Sequence, residues 1–385
     1  MSVDKTALAL YVHIPFCVRK CHYCDFLSGQ ASDEAKNRYL DALGQELAYY
    51  AQKLDGYEIR TVFIGGGTPT SLSEEQLSLL HEYLHPILQK YGASEIEFTV
   101  EANPGILSQK KADLLYQMGV NRISLGLQSA NDKELAMLGR IHSYDDFLES
   151  VSYVRTAGIT NLNVDIMAAL PDQTLDSYRD TLEKVIAVQP EHISAYSLII
   201  EEGTPFAEWD KADRLRLPDE DTEREMDVMT QRLLEANGYE RYEISNYARP
   251  GRECQHNIVY WTLGQYLGVG LGASSCFGEE RFTNTTTMED YLSEQPGEHA
   301  KDREAMTTKS KMEEFVFLGL RMRKGISPTR FEELFSEKFM KIYGSQVDFF
   351  VKNHLLAWDQ KHDTIYLTKR GMDVSNQVLA EFLLD

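Results

Sequence analysis

Short apolar runs alternate with amphipathic stretches along the first half of the chain, and this pattern restricts the possible folds strongly. Six runs predict strands, at residues 8–14, 60–64, 95–100, 122–125, 161–167 and 192–198. Helical periodicity lies between them, at residues 34–54, 73–89, 108–118, 145–157 and 175–188. Strands that alternate with helices build right-handed βαβ units and a parallel sheet. Six units predict an α/β fold, a partial (β/α)6 barrel of the TIM type rather than a closed barrel of eight.

A cluster of cysteines follows the first predicted strand. Cys17, Cys21 and Cys24 are separated by three and then two residues, so their thiolates can surround one inorganic centre. A 4Fe–4S cluster normally takes four cysteine ligands. This loop supplies three, which leaves one iron open for chemistry.

A zinc site is the alternative use of the same loop. Zinc accepts three cysteines and one further ligand, and His13, His22 or Asp25 could supply it. The other two cysteines, Cys254 and Cys276, stand alone far downstream. The loop by itself leaves both a 4Fe–4S cluster and zinc open.

The amino-acid composition indicates the cellular compartment of the protein and limits the classes of partner that it can bind. The five cysteines show no pairing pattern, which favours a reducing compartment and a cytoplasmic protein. The apolar run at residues 7–12 is too short for a signal peptide, and no run reaches membrane-spanning length; contact with a membrane surface stays open. A net charge of −21 argues against a nucleic-acid partner, because phosphate recognition usually needs a basic surface.

Polar residues follow the predicted strands at the positions where ligand-binding groups gather in parallel α/β folds. Gly65-Gly66-Gly67-Thr68 follows the second strand, and glycines without Cβ atoms let a ligand approach the backbone. The later strands place four side chains on the same rim: Glu101, Gln128, Arg140 and Asp165. Each alone is more often a cap or a turn residue. Together they suit a zwitterionic nucleoside, with Arg140 for its carboxylate.

This segment resembles the coproporphyrinogen dehydrogenase branch of the radical S-adenosylmethionine (SAM) superfamily. The motifs that carry the resemblance occur in order between residues 11 and 174: Tyr11-Val-His-Ile-Pro-Phe-Cys17, Gly65-Gly-Gly-Thr-Pro69, Glu101-Ala-Asn-Pro104, Gly126-Leu-Gln-Ser129, Asn163-Val-Asp165 and Leu170-Pro-Asp-Gln-Thr174. The resemblance implies that SAM chelates the fourth iron of a 4Fe–4S cluster on the three cysteines. It also implies the residues that contact SAM: Tyr11, Tyr23, Gly66, Gly67, Thr68, Glu101, Gln128, Arg140 and Asp165.

A second motif, His256-Asn-Ile-Val-Tyr260-Trp261, lies well beyond the predicted strands. Imidazole is a common haem ligand and aromatic rings suit a porphyrin face, although a buried histidine with two core aromatics explains the same residues. The motif is similar to the signature of the HemW haem chaperones within the same superfamily. That resemblance implies haem as a ligand, with His256, Tyr260 and Trp261 as its candidate contacts, at the open mouth of the barrel.

Two departures separate the chain from the true coproporphyrinogen dehydrogenases. Those enzymes carry a further cysteine two residues after the third ligand, where this chain has Phe26, and they have a longer segment before the first strand. Both favour a haem chaperone that hands haem to an acceptor protein. SAM-dependent oxidative decarboxylation of coproporphyrinogen III is the alternative, and whether the protein is an enzyme stays open. Methylation of RNA is a distant third reading, which the net charge disfavours.

The expected organisation has three parts. Residues 1–200 form the radical SAM barrel, residues 201–305 extend it and carry the second motif, and residues 306–385 form a helical domain resembling a winged helix. Within the extension, residues 221–237 predict an amphipathic helix that ends at Gly238. In the last part, residues 354–367 predict a β-hairpin after the helices. The mixed charge of this domain favours packing or a protein partner over DNA.

Overall fold

The structure, a computed structural model, describes residues 5–384. Six strands run parallel and pair in the order in which they occur. They are β1 (Thr6–Ile14), β2 (Tyr57–Gly66), β3 (Gly92–Ala102), β4 (Arg122–Gln128), β5 (Asn161–Ala168) and β6 (His192–Ser197). The connecting helices are α1 (Asp33–Ala51), α2 (Glu74–Tyr91), α3 (Gln109–Gln117), α4 (Asp132–Met137), α5 (Tyr144–Thr156) and α6 (Leu175–Val188). The predicted partial barrel is therefore confirmed, and its sheet stays open.

Local sequence signals explain where these helices begin. Ser73 caps α2 by accepting a hydrogen bond from the backbone of Gln76, whose side chain accepts one from the Ser73 backbone in return. Ser143 and Asp146 form the same capping box at α5. The strands between them are apolar because helices cover one face and side chains fill the other; all seven residues of β4 are buried.

The sheet continues on both sides of the parallel core. Beyond β6 lie two short antiparallel strands, β7 (Glu240–Arg241) and β8 (Asn246–Ala248). Beyond β1 lies the parallel strand β9 (Gln265–Val269), followed by the antiparallel strands β10 (Ser274–Phe277), β11 (Glu280–Asn284) and β12 (Ala300–Ala305). The helices of this region are α7 (Pro205–Lys211), α8 (Glu220–Ala236), α9 (Gln255–Trp261) and α10 (Met288–Ser293). The sequence predicted α8 but not these strands, since they are short and two of them lie in a glycine-rich run.

The last part of the chain has its own hydrophobic cluster, built from residues between Met312 and Leu384. Its elements are α11 (Thr308–Gly319), α12 (Pro328–Phe335), α13 (Phe339–Lys352), β13 (Leu356–Asp359), β14 (Thr364–Leu367), α14 (Lys369–Asp373) and α15 (Ser375–Ala380). The antiparallel pair β13–β14 after three helices gives the expected arrangement of helices and a two-stranded wing. The proposed domain boundaries themselves stay a prediction.

The C-terminal domain packs against the sheet extension through charged and aromatic contacts. Arg281 on β11 makes two hydrogen bonds to the carboxylate of Glu314 on α11. The guanidinium of Arg321 lies 4.5 Å from the centre of the Trp261 ring on α9, a cation–π contact. Among residues 5–384, no helix combines the length and the apolar character needed to cross a membrane.

Candidate functional site

A cavity of about 480 Å³ opens at the carboxyl ends of the parallel strands. Most of the residues that the sequence singled out line it: Cys17, Cys21, Tyr23, Cys24, Gly66, Gly67, Thr68, Glu101, Gln128, Arg140 and Asp165. They come from the loops and ends of five successive strands, which meet at one edge because the strands are parallel. The exposed ring of Phe26 also lines this cavity.

The cysteine loop is held by contacts with the neighbouring loops. The backbone N–H of Cys17 donates to the carbonyl of Gly29 at 2.9 Å, and the Thr68 hydroxyl lies 3.6 Å from the Cys17 sulfur. A guanidinium nitrogen of Arg140 lies 3.5 Å from the sulfur of Cys21. Donors directed at sulfur stabilise thiolates, so this loop suits a centre that is bound by thiolates.

The histidines that would complete a zinc site have other roles. Nδ1 of His13 lies 3.0 Å from the Tyr11 hydroxyl and Nε2 lies 3.1 Å from the carbonyl of Leu27. Nδ1 of His22 lies 2.9 Å from the carbonyl of Met137. Neither ring lines the cavity that the three cysteines share. Asp25 does line it, but a zinc site does not explain the glycine loop, Glu101, Gln128, Arg140 and Asp165 around the same cavity.

The glycine loop leaves no room for side chains. Gly66 has a φ of +107°, and a Cβ atom there would lie 2.3 Å from the His13 ring. A Cβ atom on Gly67 would lie 2.7 Å from the backbone oxygen of Phe16. Two glycines are thus required for the backbone of this loop to approach the cysteine loop. The N–H of Gly66 donates to a carboxylate oxygen of Glu101 at 3.0 Å, which connects the second strand to the third.

Two partly buried carboxyl groups, of Glu101 and Asp165, lie in the cavity wall. Burial, together with the nearby charge of Asp165, raises the pKa of Glu101 to about 7. Burial also raises the pKa of Asp165, although Ser194, Asn163 and Ser124 hydrogen-bond to its carboxylate. Carboxyl groups held in this way favour a ligand that brings positive charge or hydroxyl donors.

Arg140 supplies a positive charge deep in the cavity, which Arg19 and Lys20 also line. One of its terminal nitrogens, Nη2, donates to Oδ1 of Asn103 at 3.0 Å and to the carbonyl of Gly126. Its Nε atom is buried and has no hydrogen-bond partner within residues 5–384. A buried guanidinium with an unused donor fits a ligand carboxylate. Three thiols, a glycine cradle and this arginine therefore fit a cluster that carries SAM.

Gln128 reaches the cavity through an irregularity in β4. Its φ is +71°, and the pairing of β4 with β5 shifts by one residue between Gly126 and Gln128. Such a bulge redirects a side chain. The amide oxygen of Gln128 accepts a hydrogen bond of 3.1 Å from the hydroxyl of Tyr196.

Several residues of the cavity were absent from the sequence-based set. Asn103 donates to the Thr68 hydroxyl at 2.8 Å and holds Arg140, and Ser124 donates to Asp165 at 3.0 Å. Asn103 follows Glu101 by two positions, so the strand period of two could have identified it. Tyr196 gave no such signal, because it lies in a strand with no polar motif after it.

Tyr11 is not where the resemblance implied. Its side chain lies under the cavity, where the ring packs 6.3 Å from Phe63 and 6.5 Å from His256, measured between centroids. Its hydroxyl bonds to His13, and it is not among the residues that line the cavity. Side chains alternate between the two faces of a strand. Tyr11 lies three residues before the end of β1, so its side chain enters the interior of the barrel below the residues at the strand ends.

His256 is also placed differently from the expectation. It is 1% exposed, and both ring nitrogens have partners: Nδ1 lies 2.8 Å from the Thr61 hydroxyl and Nε2 lies 2.9 Å from the Tyr260 hydroxyl. Burial lowers the pKa of His256 to about 3, and Arg122 adds to this effect. The imidazole is neutral and offers no free nitrogen to a haem iron in this conformation.

The other two candidate haem contacts face away from the barrel mouth. Tyr260 and Trp261 line a separate cavity of about 800 Å³ between the sheet extension and the C-terminal domain. Asn257, one turn earlier on α9, lines the mouth cavity instead. The second motif therefore forms a partition between two cavities, and it does not bring its three candidates together at the barrel mouth.

Comparison with known proteins agrees with this architecture. The profile of the radical SAM superfamily matches residues 11–185, and that of the HemN C-terminal domain matches residues 306–374. In overall structure the chain is similar to coproporphyrinogen III oxidase (HemN) from Escherichia coli, with a TM-score of 0.85 and 23% identity, over 99% of this chain and 91% of that chain. At this identity the similarity shows the fold alone.

Two relatives are similar along nearly the whole sequence. The heme chaperone HemW of Lactococcus lactis subsp. lactis (strain IL1403) is 38% identical over 376 residues, which cover 97% of each chain. The heme chaperone HemW of Bacillus subtilis (strain 168) is 38% identical over 375 residues, covering 97% of this chain and 98% of that protein. The chain belongs to the HemW family of the radical SAM superfamily.

Proposed function

We propose that this protein is a haem chaperone built on a radical SAM scaffold, which binds haem and transfers it to an acceptor protein. The observation that carries the proposal is the similarity to proteins named heme chaperone HemW over 97% of the chain. The separate cavity beside Tyr260 and Trp261 supports it, because it offers space for a large ligand away from the cofactor cavity.

The cofactor part of the proposal is a 4Fe–4S cluster on Cys17, Cys21 and Cys24. Their shared position on one cavity and the two donors near their sulfurs support it. When bound, such a cluster supplies an iron that can coordinate a further ligand and an electron that can reduce it. The protein contributes thiolates, and the Arg140 guanidinium offsets part of their negative charge.

SAM is the second cofactor, held on the rim of the same cavity. Gly66, Gly67 and Thr68 line the cavity beside Glu101 and suit the amino-acid end of SAM. The free Nε of Arg140 suits the carboxylate, and the remaining set suits the ribose and the adenine: Tyr23, Gln128 and Asp165. These residues bind and orient; the catalytic residues of any reaction of SAM are not assigned.

The protein works, on this proposal, in the cytoplasm, where thiols remain reduced and able to hold a cluster. Its acceptor is a haem protein of unassigned identity. Decarboxylation of coproporphyrinogen III is the competing activity. Phe26, whose ring is 62% exposed at the cavity, neither ligates a metal nor donates a hydrogen atom as a thiol does, which weighs against it.

Absorption spectroscopy of anaerobically reconstituted protein tests the proposal. We expect close to four irons per chain, and about one haem per chain with a Soret band on titration. Cys17→Ser should remove the cluster, whereas the matched change Cys254→Ser should keep it. Haem binding no tighter than to an unrelated acidic protein would refute the chaperone function. If the protein forms protoporphyrinogen from coproporphyrinogen III at a rate above that of the Cys17→Ser variant, the alternative function as a coproporphyrinogen dehydrogenase would be supported instead.

A further inference from the structure

The cavity of about 800 Å³ beside the C-terminal domain is not used by the cofactors proposed above. One wall is a row across three strands, in which Tyr266 on β9, Cys276 on β10 and Arg281 on β11 stand directly opposite each other. Directly opposite residues in a sheet point to the same face, and all three line the cavity. Tyr260 and Trp261 at the end of α9 continue this wall.

The opposite wall belongs to the C-terminal domain and carries apolar side chains among charged ones. Phe315 and Leu318 on α11 and Phe335 on α12 face the row of three strands. The volume lies within the range of ordinary ligand sites, roughly 300–1,000 Å³. Aromatic walls on both sides of a gap suit a large planar ligand.

The charge of the lining indicates an anionic ligand. Four basic residues, Arg281, Lys311, Lys324 and Arg330, line the cavity with a single acid, Glu314, although the whole chain carries a net charge of −21. Lys324 has no ion-pair partner within residues 5–384. The other three cations are paired, Arg281 with Glu314, Lys311 with Glu279 and Arg330 with Glu333. Lys324 is therefore the lining cation best placed to meet a carboxylate or a phosphate.

Three buried polar atoms in the lining have no partner within the described residues. They are Nε1 of Trp261, Oε1 of Gln265 and Nε of Arg281. Buried donors and acceptors are normally paired; these three belong to lining residues but expose almost no surface, so a ligand in the cavity reaches them only after the side chains turn. A wide, flat, apolar ligand with acidic groups at its edge matches all of these features.

We propose that this cavity is the haem site of the protein, with the sulfur of Cys276 as axial ligand to the iron. The proposal rests on the haem-chaperone function. The macrocycle lies between the aromatic walls, and the propionates face the basic side chains. As ferric haem binds, the Cys276 S–H bond breaks, a sulfur–iron bond forms and the proton passes to solvent; no electron is transferred. Cysteine thiolate is an established ligand of haem iron.

The alternatives on the same molecule are less suitable. Both nitrogens of His256 are engaged by Thr61 and Tyr260, so ligation by that histidine requires α9 to rearrange. The mouth cavity is smaller, about 480 Å³, and its polar lining matches SAM. Haem is larger and more apolar than SAM, and the larger cavity is the one with aromatic walls.

Haem titration of the full-length, cluster-loaded protein with and without saturating SAM tests the site. Separate cavities predict that haem still binds when SAM is saturating, so the apparent Kd for haem should not rise in proportion to SAM concentration. Proportional competition would place haem in the mouth cavity and overturn the proposal. If the wild-type protein binds no haem at all, the proposed function fails, and the site fails with it.

Variants test the ligand. In the wild-type protein, the ferrous–carbonyl complex should absorb at the long wavelength that distinguishes thiolate-ligated haem from imidazole-ligated haem. Cys276→Ser should abolish that band and weaken haem binding at least tenfold, and the control Cys254→Ser should retain both. A band that persists in Cys276→Ser, or is lost in His256→Ala instead, would overturn the assignment while the chaperone function stands.

A second variant fills the cavity and leaves Cys276, the proposed iron ligand, unchanged. Leu318→Trp should weaken haem binding by a similar factor while the iron content and SAM affinity stay at wild-type values. Circular dichroism and iron content report whether each variant is folded. Unchanged haem affinity in a folded Leu318→Trp protein would exclude this cavity as the site.

Discussion

The carboxyl group of Glu101 makes the stability of the cofactor-free protein depend on pH in a way that can be calculated. Burial raises its pKa from 4.5 to about 7 in the folded protein, a difference of about 2.5. Each pKa unit corresponds to about 1.4 kcal/mol, so the full effect is about 3 kcal/mol. Because the folded protein holds the proton more tightly, this contribution is complete below pH 4.5 and is lost as the pH rises through about 7.

Glu101→Gln removes the titrating group and keeps an oxygen that can accept the Gly66 N–H. Urea unfolding at several pH values between 5 and 8, on protein without cluster or SAM, measures the effect. We expect the free energy of unfolding of the variant, relative to wild type, to rise by about 2.5 kcal/mol between pH 5 and pH 8.

Glu46 provides a matched control, because its pKa is also raised to about 7 by burial. Its carboxylate accepts hydrogen bonds from Gly270, Asn284 and Tyr291, and it shares no partner with Glu101. Glu46→Gln should therefore give a similar pH-dependent gain, and the two gains should add in the double variant. A difference between Glu101→Gln and wild type that stays constant from pH 5 to pH 8 would refute the reasoning.

Three further changes test other parts of the structure. Gly67→Ala places a Cβ atom 2.7 Å from a backbone oxygen. We therefore expect the free energy of unfolding to fall by about 1–3 kcal/mol, and calorimetry to show weaker SAM binding. The control Gly29→Ala, with open space around the new Cβ atom, should change neither quantity. Asn103→Ala removes a hydrogen bond to Arg140. Because such a bond contributes about 1–2 kcal/mol, the affinity for SAM should fall about tenfold in the same titration. An affinity equal to that of the wild type would count against the role of Asn103. Glu314→Ala breaks the pair with Arg281 and should speed proteolytic cleavage near residue 305, and unchanged digestion would contradict that contact.

The sequence predicted the parallel core well because each of its strands is a buried apolar run followed by a polar loop. The same reasoning brought Glu101, Gln128, Arg140 and Asp165 to one rim, and the structure places all four on one cavity. It did not predict β9 to β12, since all four strands are short and β9 and β10 lie in a glycine-rich segment without a clear period.

The positions of the residues in the second motif could not be predicted from the sequence. A seven-residue helix carries His256, Tyr260 and Trp261, and its period sends neighbouring positions in different directions. Asn257 consequently lines one cavity and Trp261 another, while His256 lies buried between them. The packing of α9 against strands that are distant in the sequence determines which cavity each residue faces. A local sequence pattern does not predict that packing.

The attachment of α9 determines which wall of the larger cavity can move. The carboxylate of Glu97 on β3 accepts the backbone N–H groups of Gln255 and His256 at 3.0 and 2.9 Å, so the helix start is bonded to the barrel itself. The facing wall is α11, which the Arg281–Glu314 pair holds to the sheet. Widening this cavity therefore means displacing the C-terminal domain, and a protein that competed for Glu314 would open it while the cofactor cavity kept its shape.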